Sequence, residues 1–81
     1  MEFGLAKEKF AEGDFSRAGA LFRKTVDEHP NADIAPEALY WAGVSKYKAS
    51  GDPAALGETA AAFQSLYTDS VWAKKASVWR Q

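Results

Sequence analysis

Two short stretches, Glu12-Gly13-Asp14-Phe15 and Ser50-Gly51-Asp52-Pro53, decide the fold. In each, a glycine followed by an aspartate reads as the end of one helix and the start of another. Glycine tolerates the positive φ of a helix C-terminus, and an aspartate side chain accepts a free N–H at the next N-terminus. The two glycines lie 38 residues apart. The same shift superposes Ala11 on Ala49, Asp14 on Asp52, Gly19 on Gly57, Ala35 on Ala73, Ala38 on Ala76 and Trp41 on Trp79. A fixed period of this size is the signature of helical repeats, whose units bury their apolar faces against one another. It predicts a binding surface rather than a reaction.

Working outward from the first turn, Phe3, Ala6 and Phe10 fall on one face of a helix that ends at Gly13. The second helix is predicted from about Phe15 to His29, with Phe15, Ala18, Phe22 and Val26 as its buried stripe and Leu21 and Thr25 flanking it. Gly19 inside that helix costs roughly 1 kcal/mol relative to alanine, which predicts the close approach of a neighbouring helix. Pro30 ends the segment, because the residue before proline avoids helical geometry. The third helix starts between Asp33 and Pro36, and Ala38, Tyr40, Trp41, Val44 and Tyr47 supply its expected apolar face. Gly43 lies beside them at a helix crossing. Beyond Gly51, Asp52 is the expected N-cap and Pro53 the first helical residue. The fourth helix runs to Leu66 or Tyr67, with Leu56, Ala60, Phe63 and Tyr67 at helical spacing. Thr68-Asp69-Ser70 is a loop with a built-in N-cap, and a fifth helix carries Trp72, Ala76 and Trp79 on one stripe. No stretch alternates as a strand would. The expectation is an all-α chain: five helices in antiparallel succession, with units roughly 1–32 and 33–68 and a terminal helix over 69–81.

Composition bounds the function. Eighty-one residues make one small domain, and 47% hydrophobic residues are enough to build its core. A net charge of −1 gives no bulk attraction to nucleic acid or to an anionic membrane. With no cysteine there is no disulfide, thiolate nucleophile or thiolate metal site, and either compartment, periplasmic or cytoplasmic, suits the chain. No apolar run approaches the roughly 20 residues that span a bilayer. No targeting segment is evident, since Glu2 and the lysines at 7 and 9 interrupt the first stretch.

With these residues in view, the chain resembles the tetratricopeptide repeat family. Gly13-Asp14-Phe15 resembles the turn between that family's paired helices, and Ala18, Phe22 and Pro30 match its small, aromatic and closing-proline positions. Tyr40, Gly43, Tyr47 and Gly51 match the first helix and turn of a second unit. The second helix of that unit departs from the pattern, with Leu56, Ala60 and Thr68 in place of the alanine, aromatic and proline. The longer period, Pro36 to Trp41 and Asp69 to Ala76 are similar to the extended repeats of bacterial envelope proteins of the Tol–Pal coordinator and outer-membrane assembly lipoprotein type. Comparable helical modules follow thioredoxin-like domains in some bacterial proteins. The resemblance implies a helical-hairpin solenoid and a noncatalytic protein-interaction scaffold that binds a peptide or partner helix on a concave face. The alternative is a structural helical appendage or spacer of a larger protein, with no ligand of its own.

Ala38, Trp41, Ser45 and Lys48 recur at spacings of three, four and three on the third helix, and Lys7 falls between Gly4 and Ala11 on the corresponding face of the first. These five residues, Lys7, Ala38, Trp41, Ser45 and Lys48, form the expected partner-binding set. An aromatic flanked by lysine and small residues suits a peptide with an acidic or C-terminal carboxylate group. The competing reading is that Trp41 only packs against the neighbouring repeat. His29 stands alone at a helix end, and Asp27-Glu28 are neighbours whose side chains diverge by about 100°. Neither makes a catalytic or metal site, and no cofactor is expected. The glycines form no phosphate loop.

In the 38-residue register Trp72 and Trp79 echo Ile34 and Trp41, so the fifth helix is the first half of a third unit. Two outcomes are open. The helix folds back as a cap, burying both indoles against Phe63, Tyr67 and the third helix, or its stripe pairs with a second copy as a homodimer. Lys74, Lys75, Arg80 and Gln81 give its other face the polarity a terminal cap needs. The expectation is therefore a cap with at least Trp72 mostly buried.

Overall fold

The computed structural model describes residues 2–79. Met1, Arg80, Gln81 and the side chain of Val78 lie outside the described residues, and with them part of the expected polar face of the last helix. The described chain is all-helical: α1 Glu2–Glu12, α2 Phe15–Glu28, α3 Ala35–Ser50, α4 Ala54–Leu66 and α5 Val71–Ala76, the last followed by a 3-10 turn, Ser77–Trp79. Its extents are 29 × 28 × 16 Å. The short dimension accommodates two layers of helices, whose axes pack about 8–10 Å apart.

The helix ends follow from local chemistry. Gly13 and Gly51 have φ of +86° and +72°, the left-handed conformation expected of both. Asp14 Oδ1 accepts from the Arg17 N–H at 3.3 Å, and Ser70 Oγ accepts from the Trp72 N–H at 3.1 Å. Two boundaries shift by one residue. α2 ends at Glu28 with His29 as its C-cap. α4 begins at Ala54, with Pro53 as the N-cap and the Asp52 carboxylate accepting from the Ala54 N–H at 2.9 Å. Asp52 still caps the helix, from one position further back.

Gly51 allows a clean test of the turn. A Cβ added there meets no described atom within 4 Å, so the effect of a side chain is conformational. Gly51→Val is expected to lose about 1–3 kcal/mol, the range for residues forced into sparsely populated backbone regions. Gly51→Asn should lose less, because asparagine visits this region more readily. Urea denaturation of the two variants measures the difference, and equal, negligible losses would contradict the positive φ.

Packing is sequential: α2 lies against α1 and α3, and α3 against α2, α4 and α5. On α2 the expected stripe holds for Ala18, Phe22 and Val26, joined by Thr25, whereas Phe15 is half-buried. On α3 the expected face is corrected. The buried residues are Ala35, Ala38, Leu39, Ala42, Gly43 and Ser45, while Tyr40, Trp41 and Val44 are half-buried and Tyr47 is exposed. A helix flanked on two sides leaves room there mainly for short side chains, with Leu39 the exception. On the α2 side, a Cβ on Gly19 would sit 3.3 Å from the Ser45 Cβ; on the α4 side, a Cβ on Gly43 would fall inside Thr59. Both glycines are therefore the close crossings their positions predicted. Thr59 satisfies its hydroxyl within α4, donating to the Ala55 carbonyl at 2.8 Å.

α5 folds back onto the chain. Ala76 is fully buried, and the Trp72 and Trp79 ring centroids lie 5.1 and 5.0 Å from that of Tyr40. Both indoles remain half-buried, so Trp72 is less covered than expected.

Candidate functional site

Aromatic side chains from four helices join in a continuous row of ring contacts. Phe15 of α2 meets Phe10 of α1 at 5.1 Å between centroids, and Phe10 meets Trp41 of α3 at 5.4 Å. Trp41 meets its neighbour Tyr40 at 5.3 Å, and Tyr40 carries Trp72 and Trp79 of the last segment. Most of these pairs are edge-to-face, the arrangement favoured by the ring quadrupole. All six rings are half-buried. Trp41 Nε1 donates to Glu37 Oε2 at 3.3 Å, one helical turn back, which orients the indole. Lys48 Nζ stands 5.5 Å from the Phe15 centroid, and Lys75 Nζ 4.6 Å from that of Trp72, so exposed cations lie beside the row toward both ends.

The structure divides the five expected binding residues. Trp41 lies within the row and Lys48 at its Phe15 end. Lys7 is exposed on α1, but its ammonium stands over Phe3, whose ring packs on Phe22 outside the row. Ala38 and Ser45 are fully buried and offer a partner no surface. At about 100° per residue, Trp41 and Lys48 lie roughly 40–80° around the helix from Ala38 and Ser45. One nominal face therefore splits into a sealed centre against α2 and an accessible edge. The Ser45 hydroxyl has no hydrogen-bond partner among the described residues.

The structure also holds a concavity that the sequence does not predict. A trough of about 650 Å³ runs between α2 and α4 over α3, lined by Gly19, Ala20, Ala42, Gly43 and Ala62 among others. Its charged lining residues are paired: Lys46 with Glu58 at 3.1 Å and Arg23 with Asp27 at 3.2 Å. Its signal in the sequence is the pair of mid-helix glycines among alanines, whose positions by themselves predict only crossings. Phe10, Phe15 and Tyr40 likewise fall on predicted packing stripes, which gives no sign of a surface role.

His29 is exposed at the end of α2, and Asp27 is engaged by Arg23. Among the described residues no three of histidine, cysteine, aspartate and glutamate converge as a metal would need. Burial raises the pKa of Tyr67 above its usual 10.0, an effect partly opposed by the Arg23 charge. Its hydroxyl donates to the Pro30 carbonyl at 2.7 Å, tying the end of α4 to the loop before α3. No described helix is long and apolar enough to cross a membrane. No family model matches the chain, and no curated protein or solved structure shows significant similarity to it.

Proposed function

We propose that this chain is a noncatalytic protein-interaction scaffold of tetratricopeptide type, which takes a peptide or partner helix against the aromatic row. One observation carries the reading: six large rings lie in contact along the chain, each half-covered, with exposed lysines beside them. Tryptophan and tyrosine in partly desolvated settings are the residues that most often anchor partners. Lysine adds a hydrogen-bonding charge for a carboxylate. The glycine turns, the 38-residue echo and the polar Lys74 and Lys75 on the last helix support the repeat type. The alternative, a structural appendage or spacer of a larger protein, is favoured by the sealed Ala38 and Ser45 and by the contact each ring already has within the chain.

Selection from a displayed library of peptides with free C-terminal carboxylates tests the proposal. The wild-type chain should yield binders. Trp41→Ala should weaken the selected peptide by about thirtyfold, a hot-spot effect. Lys48→Ala should weaken it less and make it less salt-sensitive, with helical circular dichroism unchanged in both. Ala20→Arg, which obstructs the trough and leaves the row intact, should bind normally; loss of binding there would move the site to the trough. No selected peptide, together with unfolding of Trp41→Ala, would favour the appendage.

A further inference from the structure

The two ends of α3 carry surfaces that match one another. At its start, the loops before α3 and after α4 enclose a cleft of about 430 Å³, whose walls include Pro30, Asp33, Pro36, Leu66 and Tyr67. The cleft is preformed. The Tyr67 hydroxyl donates to the Pro30 carbonyl at 2.7 Å, and the Ala32 and Ala35 N–H groups close the loop on the carbonyls of His29 and Ala32. Leu66, on its wall, is 53% exposed. The surroundings are acidic. Residues 25–45 and 59–73, which supply the walls, include Asp27, Glu28, Asp33, Glu37 and Asp69 but no lysine or arginine. Arg23, whose charge is felt at Tyr67, is matched by Asp27 at 3.2 Å. α2 and α4 end here while α3 and α5 begin, so the helix dipoles oppose one another and the carboxylates set the sign.

One turn before the other end of α3 stands Tyr47, 38% exposed. It is followed by the exposed Lys48, whose ammonium lies 5.5 Å from the Phe15 centroid. Neighbouring charges are used within the chain: Lys46 pairs with Glu58, Arg17 with Asp14, and Asp52 caps the Ala54 N–H. Pro36 and Tyr47 lie eleven residues apart in sequence. That spacing puts them on one face of α3, within about 20° of each other and about 16 Å apart along its axis. A rigid helix keeps the two from meeting within one chain, so the match is available only between copies. A net charge of −1 sets up little repulsion between them.

We propose that this chain associates head to tail with a second copy of itself. The Tyr47 ring of one copy enters the cleft beside Leu66 and Tyr67 of the next, where Lys48 pairs with Asp33. The contact is heterologous: a pair of copies still has one knob and one cleft unfilled, so association continues past a dimer. None of this rests on the aromatic row as a peptide-binding surface. Lys48 belongs to both surfaces, so the test leaves it unchanged.

Sedimentation of the full wild-type chain between about 10 µM and 1 mM should show a mass that rises beyond a dimer. Raising the salt from about 50 to 500 mM should reduce the effect. Tyr47→Asp spoils the knob and Asp33→Lys spoils the cleft; each should associate at least about tenfold more weakly, with helical circular dichroism unchanged. Mixed in equal amounts, the two should form a heterodimer and nothing larger, because one intact knob meets one intact cleft. Leu66→Ser is a second cleft variant and should replace Asp33→Lys in the mixture with the same result. A wild type that stays monomeric throughout overturns the proposal. So does a mixture that recovers no association, which would indicate a symmetric contact, or one that grows past a dimer. These failures leave the carboxylate-peptide result at Trp41 and Lys48 standing, so the two readings fail separately.

Discussion

Replacing Gly43 with alanine is expected to destabilise the domain by about 3 kcal/mol, the upper part of the usual range for overpacked cores. The added Cβ would fall 2.7 Å from both Cβ and Cγ2 of Thr59, a separation that real Cβ atoms essentially never show. Rotating Thr59 moves Cγ2 but not Cβ, so α3 and α4 must part. Thr59 cannot swing aside, because it is buried and its hydroxyl is bonded to the Ala55 carbonyl. Alanine's better helix propensity offsets only about 1 kcal/mol of the clash. Urea denaturation followed by circular dichroism gives the value, and a loss below about 0.5 kcal/mol, the usual size for a surface change, would mean the helices do not meet this closely. Thr59→Gly in the Gly43→Ala background moves the notch to the other helix and should recover part of the loss. Gly57→Ala, with open space around it, is the control and should be neutral or stabilising by up to about 1 kcal/mol.

Phe22→Ala should have the largest effect of any single truncation in the first half of the chain, about 3–5 kcal/mol. Phe22 is 1% exposed and belongs to the buried core, to which all five helices contribute. The Phe3 ring meets it edge-on at 5.7 Å, so truncation also removes an anchor of α1. At roughly 0.05–0.15 kcal/mol per residue, a chain of this length has a total stability of about 4–12 kcal/mol. The variant therefore sits near or below the threshold of folding. Thermal denaturation should show a much lower midpoint or no cooperative transition. Phe15→Ala, at a half-buried ring, should retain a clear one; equal losses at the two sites would mean that the core is not centred on α2.

The helices and their ends were legible because they depend on the chain's local chemistry. Gly13 and Gly51 were assigned a positive φ from residue type alone, and both have it. Asp14 caps the helix expected of it, the loop Thr68-Asp69-Ser70 supplies its cap through Ser70, and the one-residue displacement at Asp52 and Pro53 changes which position caps α4 but not which side chain. A glycine that turns a helix and a carboxylate that accepts a neighbouring N–H need no distant partner, so their sequence is sufficient.

The faces were less legible. Ala38 and Ser45 share a nominal face with Trp41 and Lys48, and periodicity cannot tell which side of it another helix will cover. Large aromatics on α3 were read as its core because burying them removes the most apolar surface. That preference lost to geometry. With α2 and α4 crossing α3 at Gly19 and Gly43, the buried sides of α3 admit mainly alanine, serine and glycine, and Tyr40 and Trp41 are displaced to the edge, where they meet Phe10, Trp72 and Trp79. Helix formation, the turns and the glycines at Gly19 and Gly43 can be read along the chain, since each signal is contained within a few residues. That small residues fill the inside of α3 and the aromatics form a row emerges only on packing, because the space available to a side chain is defined by helices remote in sequence.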